Sequence, residues 1–346
     1  MIDYNISLED VKTAYRKLKS MAYYDTHDLF LKEKIASFET RRSVKFSINF
    51  DFQTVDFESK LSTFHKALTS DFENENELEE YWVSLYKKIN YRVLPKKIKA
   101  YNEYSKNNNE PLIKSVFTNV REIDDDERYE IDKLTFFFDA PVELHLVSIL
   151  WIMKLGYKLE SDLTEKCYGN RLILEKKKAN SSEQTLTNDS GLFKPYYKQY
   201  QKWRDEGITV AKNYLENKQD VLFINIDIKD YYYNIRLNFA DVNNRLKIEE
   251  LPELKVLNNV FITMHHIYTD KIVSVKYPNN LIKNIELDET ILPIGLASSY
   301  VLANWYLREF DSRVHQNIRP IYYSRYVDDI FIITANPDPK FSNEDY

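Results

Sequence analysis

The chain has 346 residues, of which 43% are apolar and 29% charged, and this composition excludes a disordered protein. Its formal net charge of −6 argues against a protein that coats nucleic acid nonspecifically, but it allows an enzyme with a local basic groove. With one cysteine, Cys167, the chain has no internal disulfide framework, and a reducing cytoplasm is the expected compartment. Its most apolar stretch, residues 142–155, is too short and too interrupted by charge to span a bilayer, so no membrane role is expected.

The N-terminal part of the sequence predicts helices and one strand. Ser7 stands where it can cap a helix whose apolar residues recur at helical spacing over residues 8–18. Apolar and polar side chains then alternate over residues 44–52, which predicts a half-buried strand. Residues 78–89 have one apolar face, and we expect an amphipathic helix that ends before Pro95.

A further helix is predicted over residues 142–155. Its apolar residues cover most sides of the helix, which indicates a buried element. Asp139 and Pro141 form the expected start signal.

Charge is segregated along the chain. Basic residues concentrate in residues 94–99, 175–178 and 194–204, and acidic residues in residues 71–80 and 122–130. Such segregation fits a groove for nucleic acid, although each run is more often just a solvated surface. The individual groove candidates are Lys96, Lys97 and Arg204.

A short apolar run over residues 221–226 predicts a central strand, and Asp227 follows where this strand should end. A carboxylate at the end of a buried strand is costly unless a cation compensates it. Alternatively, Asp227 or Asp230 caps the next helix.

Small residues mark a later helix. Gly295, Ser299 and Ala303 lie four residues apart, so on a helix they form a stripe that a backbone or a flat base can approach closely. Tight packing of the helix on a sheet explains the same stripe without a ligand.

Near the end of the chain, strand-forming residues flank an acidic pair. Residues 322–333 predict a β-hairpin with Asp328 and Asp329 at its tip. An Asp-rich turn without any function is the simpler interpretation.

The segments that contain Asp227, Gly295 and the pair Asp328 and Asp329 resemble, in this order along the chain, the palm motifs of reverse transcriptases. They are "DIKDYY" from Asp227, "PIGLASSYVLAN" from Pro293 and "YVDD" from Tyr326. The resemblance implies an α+β right-hand polymerase with fingers and an antiparallel palm sheet. It divides the chain into an N-terminal mixed helix and strand extension (1–94), a fingers-like region (95–220) and a palm (221–346). Primer grip and thumb are expected to be missing, because the chain stops at Tyr346.

The resemblance also implies the chemistry of the site. Asp227 and Asp328 would be the main ligands of two Mg²⁺ ions, with Mn²⁺ as a substitute, and Asp329 a weaker one. The Ile228 carbonyl would be a main-chain ligand. Tyr232 would lie under the sugar of the incoming nucleotide and exclude a 2′-hydroxyl, which predicts a preference for dNTPs. The residues implied to bind the dNTP or other substrate are Tyr232, Arg171, Gly295, Ser299 and Tyr326.

Three further features are similar to bacterial abortive-infection and defence-associated reverse transcriptases. The segment "CYGNRL" resembles one that precedes the first palm motif in that group, and "YSRYVDD" and "LPIG" point the same way. Arg171 would then contact the triphosphate, with a structural salt bridge as the alternative. This similarity implies antiphage defence and DNA synthesis that is RNA-directed or template-independent. The implied partners are nucleic acid, dNTPs and a noncoding RNA, a partner chain or a second copy.

Two positions depart from the template-dependent pattern. Ile294 stands where most members have Gln, and Tyr300 where they have Pro, so ordinary template copying is in doubt. Two other functions stay open: another palm-domain nucleotidyltransferase, which would not need Tyr232 as a sugar gate, and a nucleic-acid-binding module without turnover. The pair His265 and His266 is interpreted as ordinary helix surface or core.

Overall fold

The computed structural model describes residues 5–24, 28–40, 57–72, 74–101, 128–176, 184–275, 282 and 285–336. In chain order, the helices are α1 (Leu8–Tyr24), α2 (Leu29–Glu39), α3 (Phe57–Thr69), α4 (Glu75–Tyr86), α5 (Val142–Lys154), α6 (Tyr196–Glu216), α7 (Tyr231–Asn234), α8 (Phe239–Leu246), α9 (Lys255–Val273), α10 (Ala297–Tyr306) and α11 (Arg308–Asn317). The strands are β1 (Asn90–Tyr101), β2 (Arg128–Asp139), β3 (Leu174–Lys176), β4 (Gln184–Leu186), β5 (Val221–Asp227), β6 (Leu237–Asn238), β7 (Glu289–Thr290), β8 (Tyr322–Tyr326) and β9 (Asp329–Ala335). None of these helices has the length and apolar character needed to cross a membrane.

The first helix begins as its sequence predicts. The Ser7 hydroxyl accepts a hydrogen bond from the Asp10 backbone N–H (3.1 Å), and the Asp10 carboxylate accepts one from the Ser7 N–H (2.8 Å). Two N–H groups that the helix itself leaves unpaired are thereby satisfied. The amphipathic helix predicted over residues 78–89 is confirmed as α4, shifted a few residues toward the N-terminus. The strand predicted over residues 44–52 lies outside the described residues.

A long antiparallel hairpin of β1 and β2 leads into the apolar helix α5. The prediction of a buried helix here is confirmed, since residues from Val142 to Ile152 are all buried except Glu143. Its start signal was wrong in part: Pro141 occupies the N-cap without a side-chain cap bond. Asp139 pairs instead with Lys34 of α2 and with Arg92 (3.1 Å). The boundary predicted between residues 94 and 95 falls inside β1.

One apolar core joins the N-terminal helices to the rest of the described chain. Trp151 of α5 stacks on Phe261 of α9, with ring centroids 4.2 Å apart. Lys17 of α1 is buried, and its ammonium donates to the carbonyls of Thr187 (2.7 Å) and Gly191 (2.9 Å). Because a buried ammonium needs such acceptors, this contact fastens α1 to the segment that precedes α6.

The sheet that carries the predicted motifs has three antiparallel strands in the order β5-β9-β8. Within the part of the chain that the structure describes, β5 is therefore an edge strand, and the prediction of a central strand was wrong there. α11 packs on one face of the sheet through Val314 and Tyr323. On the other face, α6 packs over β8 through Ala211 and Tyr322, and it leaves Phe223 of β5 47% exposed. An apolar run in the sequence does not distinguish a strand that is buried by a neighbouring strand from one that is buried by a helix on one face.

Candidate active site

The predicted hairpin is present, and its turn consists of two residues, Val327 and Asp328, between β8 and β9. Asp329 is the first residue of β9, opposite Tyr326, so only one of the two aspartates lies at the tip. Val327 has a φ of 60°. A positive φ at the first turn residue matches a type II′ turn, where glycine is usual, so a β-branched residue there stores strain.

The sheet brings the aspartates of the first and third motifs together. Asp227 is the last residue of β5 and pairs in register with Asp329 of β9. Asp328 lies at the adjoining turn, and its carbonyl accepts a hydrogen bond from the Ile228 N–H (3.4 Å). Three carboxylates from segments about a hundred residues apart thus share one end of the sheet.

The pKa shifts of Asp328 and Asp329 are those expected of like charges that lack a compensating cation. Burial raises the pKa of Asp328, and the negative charges of Asp329 and Asp227 raise it further, against a smaller lowering by Lys96. Burial and the charge of Asp227 likewise raise the pKa of Asp329. Among the ion pairs formed by described residues, none includes any of the three aspartates. A bound cation would relieve this repulsion.

The donor chemistry of the three aspartates suits Mg²⁺, which prefers hard carboxylate oxygens. In the part of the chain that the structure describes, no group of three or more His, Cys, Asp or Glu side chains is spaced as a ready metal cage. This is compatible with Mg²⁺, because proteins usually hold it through one or two carboxylates together with waters and substrate phosphates.

Helix capping does not account for Asp227. The residue at the N-cap of α7 is Asp230, and its side chain makes no cap hydrogen bond. Its carboxylate instead pairs with the Lys133 ammonium of β2 (2.5 Å). Neither Asp227 nor Asp230 therefore caps α7 through its side chain. Capping does not explain why an aspartate ends β5.

Tyr232 lies between the first and second motifs. Its carbonyl accepts a hydrogen bond from the Leu292 N–H (3.3 Å), which holds the second-motif loop beside the first. Burial raises the pKa of the Tyr232 phenol well above its usual range, and Tyr300 and Asp328 add to this shift. Contact of this side chain with the sugar of a nucleotide stays a prediction.

The small residues of the second motif do not form one helical stripe, and this prediction was wrong for Gly295. Gly295 precedes α10 and has a φ of +90°, a conformation that favours glycine. Ser299 is fully buried in α10, and its hydroxyl has no hydrogen-bond partner among the described residues. The Ala303 carbonyl accepts from the Tyr231 hydroxyl (2.6 Å). α10 packs against α5, and contact of Gly295 and Ser299 with a nucleotide stays a prediction.

Arg171 has structural partners. Its Nε donates to the Glu160 carboxylate, and its Nη1 donates to the carbonyls of Thr164 (3.0 Å) and Cys167 (2.6 Å). These contacts match the salt-bridge alternative, and contact with a triphosphate stays a prediction.

The remaining candidates lie in different surroundings. Lys96 is exposed and near enough to Asp328 to lower its pKa, whereas Arg204 pairs with its neighbour Asp205 (2.7 Å). The side chain of Lys97 lies outside the described part. His265 is buried in α9, where its Nδ1 contacts the Phe261 carbonyl (2.8 Å).

The sequence did not point to Arg325, whose side chain supports the β8-β9 hairpin through buried hydrogen bonds. Its guanidinium is fully buried and donates to both oxygens of Asp311 (2.9 and 2.8 Å). It also donates to the side chain and carbonyl of Asn304 (both 3.1 Å) and to the Val327 carbonyl (2.9 Å). The last bond holds the strained turn residue. A charged residue inside an apolar strand was the available signal, because it requires a buried partner.

The segment over residues 166–169 docks directly on the hairpin. The Arg325 N–H donates to the Lys166 carbonyl (2.9 Å), and the Tyr168 N–H donates to the Arg325 carbonyl (2.8 Å). The Asn304 amide donates to the Gly169 carbonyl (2.7 Å). A Cβ on Gly169 would lie 2.8 Å from the Val327 backbone nitrogen, so only glycine fits.

Replacing Gly169 with alanine should therefore displace the turn. We expect a loss of about 1–3 kcal/mol in the free energy of unfolding, as for other overpacked sites, together with reduced turnover. Denaturant melts measure the first and dNTP incorporation the second. Gly191→Ala is the matched control, because its Cβ would meet only the movable end of Ile173 at 3.1 Å. Equal behaviour of the two variants would contradict the close contact.

Comparison with known proteins agrees with this geometry. Residues 170–341 match the family model described as reverse transcriptase (RNA-dependent DNA polymerase). A search of curated proteins found no match. The matched residues include all three aspartates, and a polymerase palm agrees with the observed mixture of helices and small antiparallel sheets. The match supports a nucleotidyltransferase that uses nucleic acid and dNTPs. Residues 170–341 of this chain are accordingly identified as a reverse transcriptase domain.

Proposed function

We propose that the chain is a DNA polymerase, RNA-directed or template-independent, that adds dNTPs with the help of two divalent cations. The observation that carries the proposal is the meeting of Asp227, Asp328 and Asp329 at one end of the β5-β9-β8 sheet. Like charges held close together destabilise a fold, so the presence of these three is best explained by a cationic ligand.

The three carboxylates and the Ile228 carbonyl would hold Mg²⁺, with Mn²⁺ as a substitute. Such ions, when bound, make a 3′-hydroxyl nucleophilic and neutralise the pyrophosphate that leaves. The contribution of this chain is positioning: the strand register sets Asp227 opposite Asp329, and the Arg325 contact with the Val327 carbonyl fixes the turn that carries Asp328.

Tyr232 would select the sugar. The bond from the Leu292 N–H to the Tyr232 carbonyl holds this residue between the first two motifs, where its ring would collide with a 2′-hydroxyl on the incoming nucleotide. Tyr232→Ala should therefore raise incorporation of NTPs relative to dNTPs by at least about tenfold, while Tyr232→Phe should retain the preference for dNTPs. Parallel single-nucleotide incorporation assays measure the ratio. A ratio unchanged in the alanine variant would remove Tyr232 from the sugar pocket.

Synthesis with little or no template fits the second motif. The Ile294 carbonyl accepts a hydrogen bond from the Phe138 N–H (2.8 Å), and the ring of Tyr300 packs edge-on against Phe193 (5.7 Å). Both residues depart from the template-dependent pattern, and this departure supports the template-independent form of the proposal.

A role in bacterial antiphage defence is also proposed. It is supported by the resemblance of residues 167–172 to a segment of the defence group and by the contacts of Cys167, Tyr168 and Gly169 with the hairpin and with Asn304. A noncoding RNA, a partner chain or a second copy would be the partner.

The test is incorporation of labelled dNTPs by the purified chain with Mg²⁺, with and without template and primer. Product without a template, lost in Asp328→Ala and Asp329→Ala, would establish template-independent synthesis. Product only with RNA template and primer would establish RNA-directed synthesis. If nucleic acid is bound but no condition gives product, a binding module without turnover is the better function.

A further inference from the structure

A cavity with a volume of about 100 Å³ lies beside the loop of the second motif. Residues of α2, of both strands of the β1-β2 hairpin, of α5 and of α10 enclose it. Gly295 and Tyr300 belong to its wall, whereas none of the three aspartates does, and neither does Tyr232. Three apolar residues of its wall are about half exposed and form its mouth, namely Phe30, Val93 and Leu94. The cavity is therefore open to small molecules from the surface between α2 and β1.

A buried histidine in the wall of this cavity has an unsatisfied polar atom. His145 is 3% exposed, and its Nδ1 has no hydrogen-bond partner among the described residues. Burial, together with the charge of Lys34 and against that of Asp139, lowers the pKa of His145 to about 3, so its imidazole is neutral at physiological pH. A neutral imidazole both donates and accepts hydrogen bonds, and a buried polar atom left unpaired costs free energy of folding. A ligand that bonds to this ring would recover that free energy.

The rest of the wall is aromatic and has no net formal charge. The rings that line the cavity are those of Phe30, Phe137, Phe138, His145 and Tyr300. Two cations, Lys34 and Arg92, also line it, and both pair with the carboxylate of Asp139. The carboxylate of Asp28 balances the second positive charge. Aromatic walls without net charge favour a flat and neutral ligand, since an isolated ion would lose its hydration without compensation.

We propose that this cavity, named here the β2 cavity, binds a small neutral molecule with one aromatic ring and one hydrogen-bonding group that pairs with His145. An apolar cavity of about 150 Å³ takes up benzene, so a volume of about 100 Å³ with an open mouth suits a single ring. The ligand would contact β2 and Gly295 together, and it would brace the second-motif loop against the strand to which the Ile294 carbonyl already bonds (2.8 Å). This site goes beyond the proposed function, because its ligand needs neither a metal nor a nucleotide.

The test is a fluorine NMR titration of the full chain, without Mg²⁺ or dNTPs, with three probes: p-fluorophenol, fluorobenzene and p-fluorobenzoate. The phenol should bind about fivefold more tightly than fluorobenzene, because its hydroxyl gains a hydrogen bond to the His145 ring. The benzoate should bind more weakly than the phenol, because the cavity has no net charge to compensate its carboxylate. Binding of the benzoate in preference to the phenol would overturn the assignment of a neutral ligand.

Two variants locate the bound probe. His145→Phe keeps a ring in the wall but removes its nitrogens, so the preference for the phenol over fluorobenzene should disappear while fluorobenzene still binds. His265→Phe is the matched control, since His265 is also buried and its Nε2 is also unpaired among the described residues, but it does not line the cavity. In that control the preference should persist. Val93→Trp is a second variant, at an exposed strand position of the mouth, and should weaken binding of both rings by at least about fivefold.

Three results would overturn the β2 cavity as a ligand site. They are the absence of binding by any of the rings, a preference for the phenol that survives in His145→Phe, and displacement of the phenol by dATP with Mg²⁺. The last result would make the cavity part of the nucleotide site. Asp328→Asn should bind the phenol like the unmodified chain, so failure of the polymerase proposal would leave this test unaffected.

Discussion

Replacing Asp328 with asparagine is expected to abolish dNTP incorporation and to stabilise the metal-free protein at the same time. The carboxylate is one of three that meet at the end of the sheet, and loss of cation-assisted charge stabilisation should lower turnover by at least about 10³-fold. The gain in stability follows from the removal of a like charge next to Asp227 and Asp329.

This gain should depend on pH in a defined direction. The folded state raises the pKa of Asp328 above its ordinary value of 3.8, so the carboxylate form is the destabilising one. The loss of unfolding free energy caused by the charged carboxylate is absent below the ordinary pKa. It appears as pH rises through the raised pKa of the folded state, and it is complete above that raised pKa. The melting temperature of Asp328→Asn should therefore exceed that of the unmodified chain at neutral pH, and the difference should vanish in acid.

Thermal melts over a pH series, with and without Mg²⁺, measure this effect. Mg²⁺ should stabilise the unmodified chain more than Asp328→Asn, because the variant lacks one ligand. Asp270→Asn is the control, as Asp270 is an exposed residue of α9 away from the sheet. A variant that loses activity but is less stable than the unmodified chain at every pH would show that Asp328 is structural.

Replacing Arg325 with methionine should cause the largest loss of stability. The change leaves the fully buried Asp311 carboxylate without its guanidinium, and breaking such a pair costs about 3–5 kcal/mol. It also releases the Val327 carbonyl, so turnover should fall even under conditions in which the variant is folded. Denaturant unfolding measures the stability, and dNTP incorporation at low temperature measures the turnover.

A second substitution separates the two effects. In Arg325→Met/Asp311→Leu no charge stays buried, so much of the lost stability should return, as for other buried ion pairs replaced by apolar residues. Turnover should remain low, because the bond to the Val327 carbonyl is still missing. Recovery of both quantities together would mean that Arg325 contributes only to folding and does not position the turn.

Local pattern was enough to predict several elements. The apolar helix α5, the capped helix α1 and the hairpin of β8 and β9 were all predicted from spacing and residue type, because their determinants lie within one turn or one strand. Predictions that depended on neighbours distant in sequence were less accurate. Among the described strands, β5 proved to lie at the edge of its sheet, and Asp139, expected as part of a helix start signal, binds Lys34 and Arg92.

For the candidate active site, the sequence by itself determined the chemical groups: three carboxylates, an aromatic residue five positions after the first of them, and their order along the chain. Tertiary structure alone decided that Asp227 pairs with Asp329, that Arg325 is buried against Asp311 and Val327, and that α6 leaves Phe223 of β5 exposed. The reason is physical. Side-chain type sets what a group can bind, whereas burial and strand register arise from contacts between segments that are far apart in the chain.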